Sequence, residues 1–283
     1  MKRLWIIIFL LIPFISIPAT RVLVIYESDY EDESIIDLPL AKKDAMNVFS
    51  LFRSLPNTKV KLLENPTIGK FIKDFKDWVR SSQEGDTFVL YSAGHGMTKD
   101  GEFYFIPSDA DPEDTFTWIS FSRLKRYVPE NMRVIWLIDA CYSGSIVEGR
   151  PLRAGRIQRE SLKVTKEEVI ITSSEGKEIS REMPSGEGGI FTYALVEGLK
   201  GKADRDGDGW ITSGELYGYV SKEVERLSKG TQHPLMKGRK DIKIVLNVES
   251  RNEKIKKMVF DMYDEGEIGE EEFLNLKAYL DGK

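Results

Sequence analysis

The 283-residue chain has one cysteine, so no disulfide can form within it, and its rigidity has to come from packing, ion pairs or bound metal. Histidine is nearly as scarce, with two. Basic charge is in deficit: 41 Lys and Arg stand against 46 Asp and Glu, a net −5 that becomes −7 if Lys2 and Arg3 leave with a leader. A nucleic-acid partner is therefore not expected, because it would call for a basic surface. The apolar run from Leu4 to Ala19 falls short of the ~20 residues that cross a bilayer. No long tandem repeat or low-complexity tract is present.

What is there begins with MKRLWIIIFLLIPFISIPAT: a basic start, an apolar run, and the small residue Ala19 where a signal peptidase can cut. Residues 1–19 read as a signal peptide. The mature chain is then expected to be secreted or associated with the cell envelope, with an uncleaved N-terminal anchor as the alternative. Hydrophobic content of 41% and charged content of 31% describe one globular domain with room for a small appendage.

From residue 21 to 140 the pattern alternates strand and helix. RVLVIY, KVKLL (59–63), TFVLYSAGHG (87–96) and MRVIWLIDA (132–140) read as strands, while 40–55 and TIGKFIKDFKDWVRS carry apolar residues at helical spacing. Such alternation predicts an α/β fold with a mostly parallel sheet sandwiched between helices. Further along come strand 168–173, helix 189–199, helix 215–227, and a last strand at 241–248. Residues 251–283 change style and read as a short helical hairpin about Asp264-Glu265-Gly266.

Ligand sites in parallel sheets lie beyond the carboxyl ends of the strands. His95, in AGHG, and Cys141, in DACYSG, both fall at such ends, 46 residues apart. A thiol is only a few per cent ionised at neutral pH, and a neighbouring imidazole can take its proton on attack and return it to a leaving amine. The pair therefore reads as a nucleophile and its base. A buried structural thiol and an ordinary loop histidine are the plainer readings of each residue alone. His233, in QHP, lacks a strand-to-glycine setting and reads as structural.

YSAGHG and DACYSG together resemble the caspase-like cysteine peptidases, and more the metacaspase-like branch than the animal caspases. LPLAKKDA, GGIFTYALVEGL and TQHP extend the resemblance over about residues 21–248, so the domain is placed at 20–248. The resemblance implies His95 as general base and acid, Cys141 as nucleophile, and the backbone N–H groups of Gly96 and Cys141 as oxyanion donors. Asp139 lies two residues before Cys141, so strand alternation sends both side chains to one side. The matching aspartate of metacaspase-like enzymes selects Arg or Lys before the scissile bond. Asp44 is a second acidic contact suggested by the family, a helix-surface charge being the other reading. Substrates are then polypeptides with basic residues. The basic loop, with Arg150, Arg153, Arg156, Arg159 and Lys163, falls where the family carries its intersubunit linker, which implies self-cleavage within 146–168.

DRDGDGWITSGE (204–215) matches the calcium-loop pattern: Asp204, Asp206, Asp208, the carbonyl of Trp210, Thr212 through water, and Glu215 as closing ligand, with Gly209 at the sharp turn. Ca²⁺ is the expected ion, structural or activating. The hairpin, with Tyr263-Asp264-Glu265-Gly266 and Glu270-Glu271-Glu272-Phe273, resembles a short C-terminal two-helix module, which implies self-association. Two other functions remain open at this point: a non-catalytic caspase-like scaffold, and a cysteine amidase or esterase acting on small molecules.

Overall fold

The computed structural model describes residues 19–141, 162, 164–174, 180–186, 188–246 and 248–280. The leader up to residue 18 and the arginines of the basic loop lie outside them. Strand β1 (Thr20–Tyr26) is followed by helix α1 (Pro39–Ser54), β2 (Thr58–Glu64), α2 (Ile68–Arg80), β3 (Thr87–Lys99), β4 (Glu102–Phe105) and β5 (Ile119–Ser120). Then come α3 (Phe121–Lys125), β6 (Arg133–Cys141), β7 (Glu168–Thr172), α4 (Ile190–Glu197), β8 (Trp210–Thr212), α5 (Ser213–Leu227), β9 (Leu235–Gly238) and β10 (Lys243–Leu246). Helices α6 (Val248–Asp264) and α7 (Glu270–Leu280) close the chain.

The main sheet has the order β2-β1-β3-β6-β7-β9 and is parallel except for its edge strand β9. Its central strands are apolar on both faces because both faces are covered. Val22, Val24, Val89, Tyr91, Ile135 and Leu137 pack against α1, α4 and α5. The alternate residues, among them Leu23, Ile25, Phe88, Leu90 and Trp136, pack against α2 and α3. Trp136 is wholly buried, worth about 2–3 kcal/mol of apolar transfer, and its indole N–H donates to Glu168 at 2.6 Å. Lys125 holds the other oxygen of Glu168 at 2.7 Å.

Local chemistry sets the element ends. Pro39 opens α1, where a missing N–H costs nothing. Thr67 caps α2, and Asp109 accepts the amide of Ile68 at 2.7 Å. Strand β3 runs past the sheet and folds back as a hairpin with β4 through Asp100 and Gly101, both at positive φ (52° and 78°), as a tight two-residue turn requires.

The expected last strand is shorter than predicted, Lys243–Leu246, and it does not join the main sheet. It pairs with β8 in a separate two-stranded ribbon, while β9, which the sequence pattern missed, takes the sheet edge. Four residues with a glycine at φ 110° give too short a run for periodicity to register.

Helices α6 and α7 form the expected hairpin, with Gly266 at φ 76° in the left-handed turn. The ring of Tyr263 stacks on Phe273 at 4.5 Å, and Phe260 meets Phe273 edge-on. The apolar side chains of the hairpin are only partly covered: Val259 is buried, whereas Met258 is 56% exposed, and Phe260, Leu274 and Leu276 are also open to solvent. Among the described residues no helix is long and apolar enough to cross a membrane.

Candidate active site

Strands β3 and β6 are parallel neighbours, and their register places His95 directly beside Cys141 at the carboxyl end of the sheet. Adjacent strands lie about 4.8 Å apart, so two residues 46 apart in sequence become backbone neighbours. His95 is 3% exposed, and its amide donates to the Tyr30 hydroxyl at 3.0 Å. Its Nε2 lies 2.7 Å from the carbonyl of Ile36, and the Tyr30 ring packs against it at 5.1 Å. A carbonyl only accepts, so the tautomer bonded there carries its hydrogen on Nε2, which leaves the lone pair on Nδ1.

The glycines around His95 are there for space. A Cβ on Gly96 would fall 2.7 Å from the Phe103 ring and 2.9 Å from the Ala140 side chain; one on Gly94 would come 3.1 Å from Glu27. Glu27 itself is buried beside this part of β3, and neither carboxyl oxygen has a hydrogen-bond partner among the described residues. Burial first, and the charge of Asp109 second, push it up to about 10, so it is a neutral acid at pH 7.

Side-chain alternation continues from the core into a cavity of about 310 Å³. Ile135 and Leu137 face α1 and α4, and Asp139, next on that side of β6, reaches the cavity lined also by Asp44, Ala93 and Glu182. Asp139 is 3% exposed. Its Oδ2 accepts from the Thr192 hydroxyl at 2.7 Å, which is itself 2.7 Å from the Tyr91 hydroxyl. Ser173 and Ser180 lie close but bond to one another at 2.7 Å, and Oδ1 of Asp139 is buried without a partner among the described residues. Burial raises the Asp139 carboxyl well above the usual carboxylate range, with the nearby hydroxyls opposing the shift.

Asp44 is 6% exposed, in the middle of the buried stripe of α1, between Ala41 and Val48. Both of its oxygens accept from the Gly189 amide, at 2.9 and 3.0 Å. Burial, then the charge of Asp139, push Asp44 up to about 8. A Cβ on Gly188, at φ 124°, would sit 2.1 Å from Asp44, and one on Gly189 would flank Asp44 at 3.1 Å and Asp139 at 3.5 Å. The double glycine of GGIFTYAL thus lets the chain touch both acids.

Two residues escaped the sequence reading. Glu182 lines the cavity mouth and bridges to Gly189. Gln232 is fully buried; it accepts from the Arg181 amide and donates to the Ser173 carbonyl, both at 2.8 Å, which ties the cavity wall to the sheet. Gln232 stands in TQHP, a stretch that carries the resemblance without marking a role for this side chain, and Glu182 stands in no motif. His233, next to Gln232, is exposed.

In the 204–215 loop Asp204, Asp206 and Asp208 each place an oxygen within 4.8 Å of the others, and Gly209 takes φ 86°. The Gly209 amide donates to Asp204 at 3.1 Å and the Trp210 amide to Asp208 at 2.7 Å. The set is all oxygen, which suits a hard cation. Glu215 is not gathered with the three aspartates. It accepts from Thr212 and caps the start of α5, with its other oxygen on the Arg205 amide at 3.3 Å.

The family model described as the caspase domain matches residues 19–243. No curated protein matches the chain.

Proposed function

Because the chain belongs to the caspase-domain family, we propose that it is a cysteine endopeptidase, of the metacaspase-like kind, that cuts polypeptides after Arg or Lys. The observation that carries this reading is the register of β3 on β6, which sets His95 beside Cys141 at the sheet edge. In the reaction the thiolate of Cys141 attacks the scissile carbonyl carbon, and Nδ1 of His95 takes the thiol proton. That proton passes to the leaving amine as the C–N bond breaks, and water, deprotonated by the same imidazole, releases the acyl group from the thioester. The amides of Gly96 and Cys141 serve the oxyanion. Asp139 and Asp44 receive the basic side chain, the buried Oδ1 of Asp139 being an acceptor with no donor among the described residues.

Peptides that differ only in the residue before the scissile bond test this. Turnover after Arg or Lys is expected to exceed turnover after Asp by about 100-fold or more, the worth of one desolvated charge pair. Equal or better cutting after Asp overturns the assignment. Self-processing within 146–168 follows from the same preference, since that segment holds four arginines.

The three-aspartate loop supports a hard divalent cation, and we assign it to Ca²⁺, held by Asp204, Asp206, Asp208 and the Trp210 carbonyl, with Thr212 through water. Glu215 joins only by turning from its cap. The ion neutralises the carboxylates and pins β8, whose Ile211 is fully buried against the core. Chelation is expected to lower the melting temperature by about 2–4 °C. Unchanged melting in calcium and in chelator removes the ion from this account.

The exposed apolar side chains of the hairpin favour a second reading, a scaffold that assembles through α6 and α7. An Arg-based electrophile that fails to label Cys141, together with hairpin-dependent self-association, would select it. Turnover of small esters with peptides left intact would select the amidase or esterase instead. Export remains the expected fate of the leader at 1–19.

A further inference from the structure

Asp44 and Asp139 come from different elements, α1 and β6, yet both reach the same buried cavity and both flank Gly189. Their hydrogen-bond partners are neutral: a backbone amide for Asp44 and a hydroxyl for Asp139. One oxygen of Asp139 has none among the described residues. Two anions in one water-poor cavity repel strongly, and each also loses its hydration. The surrounding charges do not cancel this. The other charged side chains of the lining, Asp37, Arg181 and Glu182, are all solvent-exposed, two acidic and one basic, so they leave no buried positive charge beside the pair. Lys43, one residue before Asp44 on α1, directs its ammonium to the Gly186 carbonyl at 2.9 Å. Strand β3 contributes Ala93 and Gly94, and α4 contributes Thr192; none is charged.

We propose that the empty pocket holds one proton shared between Asp44 and Asp139, and that a basic substrate side chain exchanges for it on binding. The O–H bond of the shared acid breaks, the proton leaves to solvent, and N–H···O bonds from the guanidinium or ammonium take its place. The inference rests on the assignment of this cavity as the specificity pocket. It has a consequence for selectivity, because solvent protons compete with the basic side chain. A placement of Asp44 near 8 agrees with this competition lying in the physiological range. Below that point the pocket loses its advantage for Arg over the uncharged isostere citrulline; above it the pocket is fully anionic and the exchange ends.

The test uses the full-length Cys141→Ala protein and a capped peptide ending in Arg or in citrulline, by calorimetry in phosphate and in Tris. At pH 6.5 the Arg peptide is expected to release close to one proton and the citrulline peptide none. From pH 5.5 to 7.5 the Arg affinity should rise about tenfold per pH unit while the citrulline affinity stays level. Asp44→Asn should abolish the release and flatten the rise. Arg binding that outcompetes citrulline with no proton released, at constant affinity, overturns the exchange and leaves the pocket assignment standing. Failure to prefer Arg at any pH removes the pocket assignment and the exchange with it.

Discussion

Replacing Cys141 by Ala is expected to abolish peptide turnover, a loss of about 10⁴-fold or more, and to leave the chain uncut where the wild type processes itself within 146–168. The reason is chemical: the methyl group of alanine has no lone pair to form the thioester, and nothing else in the sequence can replace it, since Cys141 is the sole cysteine. His95→Ala should lose about 10²–10⁴-fold, because the thiol then ionises without a base and the amine departs without an acid. The two residues act as one unit, so the double variant should be no worse than Cys141→Ala alone. Intact mass, steady-state turnover and a thermal melt check these points together. Residual turnover of Cys141→Ala within tenfold of wild type would sink the peptidase assignment. A melt shifted by many degrees would point instead to a structural role for the pair.

Asp139→Asn is expected to lower kcat/KM for an Arg peptide by about 30- to 5000-fold, the range of 2–5 kcal/mol for losing one partner of a desolvated charge pair. Asn has nearly the same shape and can still accept from the Thr192 hydroxyl, so the fold and the dyad should survive. The citrulline peptide, with no charge to lose, should change less than tenfold. An equal fall for both peptides would mean that Asp139 supports the nucleophile's strand rather than the substrate. Removal of the buried acid also takes away a desolvation penalty, so the variant should melt no lower than the wild type.

Much of this was legible in the sequence, for reasons that are local. Strands β1, β3 and β6 are continuous apolar runs, which is how a strand covered on both faces has to read. Cys141 ends β6 as the pattern predicts, whereas β3 continues through Gly94 and Gly96 to Lys99, so His95 lies at the carboxyl edge of the main sheet and not at the end of its strand. Asp44 carried a signal that alternation rules could have used: a carboxylate between Ala41 and Val48 on a buried helical stripe is costly unless something needs it there. The edge strand β9 and the turning of Glu215 into a helix cap had no comparable mark, and TQHP did not say what Gln232 would bond. Each is a short segment or a single side chain whose role depends on a distant partner.

Length, the scarcity of sulfur and imidazole, strand and helix periodicity, and the three-aspartate loop are properties of adjacent residues, and the sequence alone determines them. Only the tertiary structure decides that His95 pairs in register with Cys141 across two hydrogen-bonded strands, that Asp44 and Asp139 share one cavity, and that Gly188 and Gly189 leave room for both. Contacts between elements are set by sheet register and by which faces are buried together. Those are outcomes of the whole chain minimising exposed apolar surface, and no short window of sequence contains them.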